Sequence, residues 1–156
     1  MLPRTYDQES CSIARALERL GERWTLLVLR EAFSGRRRFD EFAEALDIAR
    51  NVLATRLALL VEEGILAKRR YSERPVRYEY RLTRKGLDLW PVLVTLMQWG
   101  DRWYAPYGPP RVLRHRDCGG GVDRHLTCDR CGKPLEPRDV VAEPGPGAEH
   151  PPAAAA

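Results

Sequence analysis

The chain has no run of about 18 apolar residues free of charge, so we expect no membrane-spanning helix. Its first residues contain no apolar signal region, and we therefore expect a cytoplasmic protein. Its four cysteines should then be reduced, which favours structural, metal-binding or redox-sensing roles over permanent disulfides.

Histidine is scarce as well: the chain has three, and one of them, His150, lies in a tail rich in Pro, Gly and Ala. The sequence shows no nucleophile accompanied by a base and an orienting group, and no glycine-rich phosphate loop. The basic strands carry no aromatic platform on which RNA bases could stack. These absences argue against an enzyme and against an RNA-binding module.

The most informative stretch runs from Arg36 to Tyr80. Its pattern predicts two helices joined by a tight turn, followed by a two-stranded hairpin: helices 39–46 and 50–63, strands 65–71 and 76–82. Gly64 is predicted to stop the second helix. A helix-turn-helix followed by such a wing is typical of proteins that read duplex DNA, so we predict a transcription regulator.

The second helix of this motif has an apolar side and a polar start. Leu53, Leu57 and Leu60 recur at helical spacing and should face the core. The polar residues in its first two turns are predicted to meet base edges in the major groove: Arg50, Asn51, Thr55 and Arg56. Arg can pair with guanine and Asn with adenine, while Thr can touch a thymine methyl group.

Two groups of cations are predicted to contact phosphates, which position a protein without specifying sequence. One precedes the first helix of the motif and the other lies on the hairpin: Arg36, Arg37 and Arg38; Lys68, Arg69, Arg70, Arg74 and Arg77. Residues 36–85 contain thirteen Lys or Arg and eight Asp or Glu, so they hold the positive excess of a chain whose net charge is +4. The alternative is a solvated basic face without a ligand.

Apolar helices are predicted on both sides of the motif. Ser12 should cap a helix that ends at Gly21, and residues 22–33 should form a largely buried helix. Thr83 should cap a long helix from Arg84 to about Tyr104, bent at Pro91. The apolar surface of that helix is wide, with Trp90, Met97 and Trp103 on one stripe, and predicts packing on a second copy of the chain. The alternative is that the helix folds onto its own domain.

The predicted fold class is mainly α (α+β), a winged helix-turn-helix with a long C-terminal dimerisation helix, a small Cys-rich hairpin and a disordered tail. The predicted domains are a DNA-binding and dimerisation domain, a Pro-rich linker, a Cys-rich module and the tail: 1–105, 106–111, 112–141 and 142–156.

The Cys-rich module contains two short knuckles separated by nine residues. They are His115-x-x-Cys118-Gly and Cys128-x-x-Cys131-Gly, which together could supply four ligands to a tetrahedral, structural zinc ion. A redox pair of Cys128 and Cys131, or no bound species at all, are the alternatives. The rival function is a small zinc-ribbon-containing RNA-binding or enzymatic module that uses this cluster.

Several motifs between Cys11 and Tyr104 occur in a familiar order: LGERWTLL (20–27), LREA (29–32), GRRRF (35–39), EGIL (63–66), RPVRYEY (74–80) and LTRKG (82–86). In these motifs the chain resembles the HxlR-type family of bacterial winged helix-turn-helix regulators. The resemblance implies a homodimer that binds operator DNA. It does not supply the operator, the effector or the sign of regulation.

Cys11 occupies a position at which some members of the resembling family sense electrophiles or oxidants. It precedes a predicted helix whose dipole would favour the reactive thiolate, and Arg15 lies close by in sequence. The alternative is a small cysteine that packs at the dimer interface. Cys11 is therefore the candidate redox-sensing residue.

Overall fold

The computed structural model describes residues 10–150, which form two compact units that divide between Asp88 and Leu89. The first unit contains α1 (Ser12–Leu20), α2 (Arg23–Phe33), α3 (Phe39–Leu46), α4 (Arg50–Glu62), β1 (Leu66–Glu73), β2 (Val76–Leu82) and α5 (Arg84–Leu87). The second contains α6 (Trp90–Tyr104), β3 (Arg111–His115), a single 3-10 turn (Pro137–Asp139) and β4 (Val140–Pro144). No helix in residues 10–150 combines the length and apolar character needed to cross a bilayer.

The core of the first unit is built where α2, α3 and α4 meet the start of β1. Its fully buried side chains come from all four elements: Val28, Leu29, Phe42, Leu53, Leu57, Leu60 and Leu66. The leucines of α4 recur every three or four residues, so they share one side of the helix. Full burial of each contributes about 1.5–3 kcal/mol, which fixes the face that α4 turns away from the core.

The turn of the helix-turn-helix has clear local causes. Asp47 adopts a left-handed conformation with φ +46° and ends α3, and Gly64 with φ +67° follows the end of α4. At the start of α3, Glu41 Oε2 accepts hydrogen bonds from the backbone N–H groups of Arg37 (2.8 Å) and Arg38 (3.0 Å). These hydrogen bonds to the charged form lower the pKa of Glu41 below its ordinary value.

The wing is an antiparallel hairpin in which Leu66 pairs with Leu82 and Arg70 with Tyr78. A bulge lies between Arg70 and Ser72. The first strand runs to Glu73, two residues beyond the predicted end at Tyr71, so the turn is shorter than predicted. The predicted winged helix-turn-helix is otherwise confirmed by the order of the elements.

The backbone of the basic run before α3 pairs with the outer side of β2 in the wing. Arg38 forms an isolated antiparallel bridge with Glu79, and Tyr80 N donates a 2.7 Å hydrogen bond to Arg37 O. Arg37 and Arg38 therefore lie beside the second strand of the wing, an arrangement that the sequence pattern did not predict.

Two predictions about helix ends are wrong. Cys11, not Ser12, is the N-cap of α1, and its side chain makes no capping hydrogen bond. The single long helix expected from Arg84 is two helices, α5 and α6, with Pro91 in the first turn of α6. Proline is tolerated there because the N–H groups of a first helical turn have no partner within the helix. Thr83 does cap α5, since its Oγ1 accepts from Gly86 N (3.1 Å).

The second unit is organised around the pairing of β3 with β4, in which Arg111 lies opposite Pro144 and His115 opposite Val140. The prediction of disorder from residue 142 is wrong for β4, and beyond it the ring of His150 stacks on Tyr107 at 4.2 Å. Residues 106–110 of the predicted linker contain no helix or strand, and β3 begins at Arg111. Residues 1–9 and 151–156, at the two ends of the predicted domains, lie outside the described residues.

Candidate functional site

The side chains of α4 that face away from the core are small, and two of the four are polar. Asn51, Ala54, Thr55 and Ala58 are all exposed, and their spacing places them along one side of the helix. Thr55 Oγ1 donates to Asn51 O (2.9 Å), a bond within the helix that leaves the methyl group of Thr55 on the surface. The two alanines were not among the predicted site residues, although their helical spacing from Asn51 was visible in the sequence. Because alanine has only a methyl side chain, this side of α4 carries no bulky group at these two positions.

Arg50 stands at the start of α4 in contact with α3. Its Nη2 lies 2.8 Å from Asp40 Oδ1, and its guanidinium sits 4.8 Å from the centroid of the Phe39 ring. Both charged side chains are largely exposed. Because exposed ion pairs contribute at most about 1 kcal/mol, Arg50 can exchange Asp40 for a nucleic-acid group at little cost.

Arg56 is placed differently from the other three predicted base-contacting residues. Its Nε lies 3.6 Å from Glu22 Oε2, and its side chain is 21% exposed. That Nε is buried and makes no hydrogen bond among the described residues. Glu22 is also the N-cap of α2, where it accepts from Trp24 N (3.0 Å). Arg56 therefore links α4 to α2, and its guanidinium is not on the exposed side of the motif.

The cations of the wing are exposed along the hairpin. Lys68 Nζ lies 4.4 Å from the centroid of the Tyr78 ring. Arg70 Nη2 lies 3.3 Å from Glu73 Oε2, while Arg69, Arg74 and Arg77 are exposed near the same end. The wing and α4 belong to the same unit, so the predicted base-contacting helix and the predicted phosphate-contacting hairpin are parts of one compact body.

The run of three arginines has a partly structural role. Arg36 Nε lies 3.5 Å from Glu31 Oε2, and Arg30 Nη2 lies 2.8 Å from the other oxygen of that buried carboxylate. The guanidinium of Arg38 sits 4.7 Å from the centroid of the Tyr71 ring in the wing. Arg37 is exposed. A carboxylate is tolerated in the interior only when it is paired, so Arg36 helps to hold the buried side chain of Glu31 inside the fold.

Cys11 is exposed at the N-terminus of α1, and α1 buries none of its residues within the single chain. Ile13 and Leu17 are exposed on this helix, and Arg15 N donates to Cys11 O (3.1 Å). The free thiol and the exposed apolar side chains beside it are accessible both to a reagent and to a partner surface.

The apolar surface of α6 divides into two parts. Trp90 and Val94 are already buried within the single chain, with 6% and 3% of their surface exposed. Val92, Leu96, Trp99 and Trp103 are exposed at helical spacing, which makes a continuous stripe of large apolar side chains. Only the second set is free to pack on another molecule.

The C-terminal cluster brings its four predicted ligands together. One ligand atom from each of His115, Cys118, Cys128 and Cys131 lies within 4.8 Å of all the others. His115 Nδ1 is 3.1 Å from Cys118 Sγ and 3.4 Å from Cys131 Sγ, and the sulfurs of Cys118 and Cys128 are 3.4 Å apart. All three thiols of the cluster are free.

Backbone amides surround the sulfur of Cys128. Burial opposes its ionisation, but hydrogen bonds from the N–H groups of Cys131 and Arg130 lower the pKa of Cys128 to about 6. The N–H of Gly120 acts in the same direction on Cys118. Burial and the neighbouring thiols outweigh it, so the pKa of Cys118 is raised.

Comparison with known proteins identifies the fold. Residues 19–107, more than half of the chain, match the family described as the HxlR-like helix-turn-helix. The chain belongs to the HxlR family. As a helix-turn-helix transcriptional regulator, this family member is a DNA-binding protein and not an enzyme.

One relative and two solved structures extend this assignment. The HTH-type transcriptional regulator Rv3095 of Mycobacterium tuberculosis is 52% identical over 140 residues, or 89% of each chain. The crystal structure of PA1607, a candidate transcription factor, is 41% identical, covers 86% of this chain and 94% of its own, and superposes with a TM-score of 0.70. The reduced form of the transcriptional regulator YodB from B. subtilis is 32% identical, covers 61% of this chain and 95% of its own, and has a TM-score of 0.52.

The matches to Rv3095 and to YodB cover different lengths of this HxlR-family protein. A match over 140 residues cannot be contained in the winged helix-turn-helix alone, so the similarity to Rv3095 continues into the cysteine module. The match to YodB is limited to 61% of the chain. YodB has also been solved after treatment with diamide, a thiol oxidant.

Proposed function

We propose that this regulator binds operator DNA as a homodimer, with α4 of each subunit in a major groove. The observation that carries the proposal is the exposed side of α4, which has only small side chains and belongs to the same compact unit as the basic wing. Small residues on one side of a helix let its backbone approach the base edges of the major groove closely, so that short side chains such as Asn and Thr can reach them. Ala54 and Ala58 are such residues, on the side that Asn51 and Thr55 share.

Within this arrangement, we assign base contacts to the start of α4. Asn51 is suited to an adenine, the methyl group of Thr55 to a thymine, and Arg50 to a guanine after it leaves Asp40. Arg56 is assigned a different role, since its guanidinium is turned towards Glu22. It would hold the helix in position for the residues that touch DNA.

Phosphate contacts are assigned to exposed cations on either side of α4. The wing would supply Lys68, Arg74 and Arg77, and the run before α3 would supply Arg37. Such contacts add affinity that depends on salt and is independent of sequence. Arg36 and Arg38 would act mainly within the protein, on Glu31 and Tyr71.

The homodimer is proposed from the exposed apolar stripe of α6. Side chains as large as Trp99 and Trp103 are seldom left in water on a single helix side, and a partner helix would cover them. The exposed residues Ile13 and Leu17 of α1 are a second surface that a partner could cover. Two-fold dimers of helix-turn-helix proteins read two half-sites about one helical turn apart. A regulator that works on chromosomal operators would act in the cytoplasm.

The test is a gel shift with the DNA upstream of the gene and of its divergent neighbour. We expect a shift that survives excess random duplex DNA of the same length. A structured RNA competitor should not displace the operator. Preferential binding of RNA, or equal affinity for all duplexes, would contradict sequence-specific operator binding and favour the rival binding module.

A thiol response through Cys11 is the second candidate function. The supporting observations are the exposed free thiol at the N-cap of α1 and the similarity to YodB, a regulator solved in reduced and diamide-treated forms. Oxidation of Cys11 would alter α1 beside its exposed apolar residues. If α1 contributes to the dimer, that change would shift the spacing of the two recognition helices.

A further inference from the structure

We propose that His115, Cys118, Cys128 and Cys131 bind one Zn²⁺ ion in a closed tetrahedral site that stabilises the C-terminal unit. The four residues come from two knuckles that are separated by nine residues in sequence. The site lies outside the winged helix-turn-helix, and the proposal does not depend on how α4 or the wing contacts DNA.

The distances within the cluster fit zinc. Zn–S bonds of about 2.3 Å and Zn–N bonds of about 2.0–2.1 Å place neighbouring ligand atoms of a tetrahedron roughly 3.5–3.8 Å apart. The closest pairs lie at 3.1 Å (His115 Nδ1 to Cys118 Sγ) and 3.4 Å (Cys118 Sγ to Cys128 Sγ), and no pair exceeds 4.8 Å. Regular coordination would require the closest pairs to separate by a few tenths of an ångström and the widest pairs to approach by up to about 1 Å.

The two knuckles have the same backbone geometry, although one begins with His and the other with Cys. The carbonyl of His115 accepts from Gly119 N (2.8 Å), and that of Cys128 accepts from Gly132 N (2.8 Å). Both glycines have φ +72°, a conformation that other residues adopt at a cost. A repeated tight turn that delivers two side chains to one point is how a pair of knuckles presents four ligands.

Backbone N–H groups face two of the sulfurs: those of Cys131 and Arg130 face Cys128 Sγ, and that of Gly120 faces Cys118 Sγ. Gly120 is fully enclosed, since a Cβ atom there would collide with Cys128 Sγ. N–H groups aimed at sulfur stabilise the anionic form that binds a metal, and each thiol releases its proton to solvent as it binds.

The donor set selects the ion and its role. Three thiolates and an imidazole favour zinc over magnesium or calcium, which prefer oxygen ligands. Four protein ligands leave no position open for substrate or water, so the site is structural and not catalytic. The other ring nitrogen, His115 Nε2, is buried and makes no hydrogen bond among the described residues. Asp117 Oδ2 lies 3.5 Å away and would need a small shift to accept from it and orient a metal-binding histidine.

The module has little else to hold it together. In the described residues from 111 to 150, the buried hydrophobic side chains are Cys128, Leu135 and Val140. So small a core needs a disulfide or a metal to remain folded. One disulfide among the three cysteines would leave the third thiol and His115 without a role, whereas one zinc ion uses all four residues.

The metal site is also connected to α6. Gln98 Nε2 donates to the carbonyls of Val122 (3.0 Å) and Asp123 (3.2 Å), in the segment between the two knuckles. Val122 is bridged to Cys128, so zinc would order the segment on which this side of α6 rests. Loss of the ion should therefore loosen α6 as well as the module.

The experiment uses the untagged full-length chain, purified under reducing conditions without chelator. We expect elemental analysis to find one zinc per chain, and X-ray absorption to find three sulfur ligands and one nitrogen ligand. Cys131→Ser and His115→Ala should each lower zinc affinity at least tenfold. The matched controls are Cys11→Ser, a free thiol outside the cluster, and His125→Ala, an exposed histidine between the knuckles. Both controls should retain one zinc.

A cobalt titration of the wild-type chain tests the site without any variant, so the test still holds if the variants fail to fold. Metal-free protein should take up one Co²⁺ with the thiolate charge-transfer and visible bands of a tetrahedral site. Absence of both zinc and a cobalt spectrum, a disulfide detected by mass, or equal zinc in Cys131→Ser and wild type would each overturn the proposal. Since none of these readouts involves DNA, they are independent of whether operator binding is found.

Discussion

Arg56 of α4 and Glu22 at the N-cap of α2 form an ion pair, with Arg56 Nε 3.6 Å from Glu22 Oε2. The pair joins the recognition helix to the helix behind it and takes Arg56 away from the exposed side. We therefore predict that Arg56→Ala lowers the midpoint of urea unfolding and preserves base preference. Glu22, which would lose its partner, is 36% exposed, so the loss of the ion pair is expected to cost at most about 1 kcal/mol.

Asn51→Ala is the matched change on the exposed side of the same helix. It should leave the unfolding midpoint almost unchanged and weaken operator binding by about 1–3 kcal/mol, with relaxed preference at one base pair. Arg50→Ala should behave in the same way. If Arg56→Ala relaxed base preference while Asn51→Ala did not, the assignment of the two sides of α4 would be reversed.

The wing should act on phosphates and not on bases. Removal of Arg74 or Arg77 is predicted to weaken binding to operator and random DNA alike, because phosphate contacts carry no sequence information. Each loss should reduce the slope of log K against log salt concentration by about 1. Titrations at several salt concentrations provide the measurement. An unchanged slope for both variants would show that these wing residues do not contact phosphates.

The α6 stripe is predicted to be the dimer interface. Leu96→Glu or Trp99→Glu would bury an unpaired charge between subunits, so sedimentation should show a monomer at micromolar concentration. Trp90→Glu is unsuitable, since Trp90 is buried within one chain and its loss would also damage the monomer. Val76→Glu, which charges an exposed apolar residue on the wing, is the control and should remain dimeric. A monomeric wild type would contradict the proposal.

For Cys11, we predict that mild diamide or quinone treatment changes the operator affinity of the wild type and has no effect on Cys11→Ser. The reason is the exposed thiol at the start of α1, beside an apolar surface that a partner would cover. A response that persists in Cys11→Ser would move the sensor to the C-terminal thiols. No response in either protein would leave Cys11 as a packing residue.

Helix positions in the motif could be predicted from the sequence because their causes are local. The leucine spacing of α4 fixes its buried side, and Gly64 with its positive φ ends it near the predicted residue. The cysteine cluster was also predictable, since two Cys-Gly knuckles each define their own turn. Convergence of the four side chains then required only one chain reversal.

The remaining features depend on contacts that periodicity does not encode. Arg56 flanks the buried side of α4, and only the presence of Glu22 on another helix decides which way its guanidinium turns. The strand β4 lies in a Pro- and Gly-rich segment whose composition indicates disorder, yet it pairs with β3, which lies more than twenty residues earlier. Ala54 and Ala58 have no polar group to mark them, so their value as a flat surface emerges only from their exposure.

The most direct test of the central claim, that the exposed side of α4 reads operator DNA, is footprinting of wild type, Ala58→Glu and Ala142→Glu on the upstream fragment. Ala58 lies on that side one turn beyond Ala54 and Thr55, and Ala142 is an exposed alanine of β4 in the other unit. We predict that wild type and Ala142→Glu protect the same two half-sites. Ala58→Glu should keep its fold and lose protection, because a carboxylate would be forced against the groove. Equal protection by all three proteins would contradict the claim.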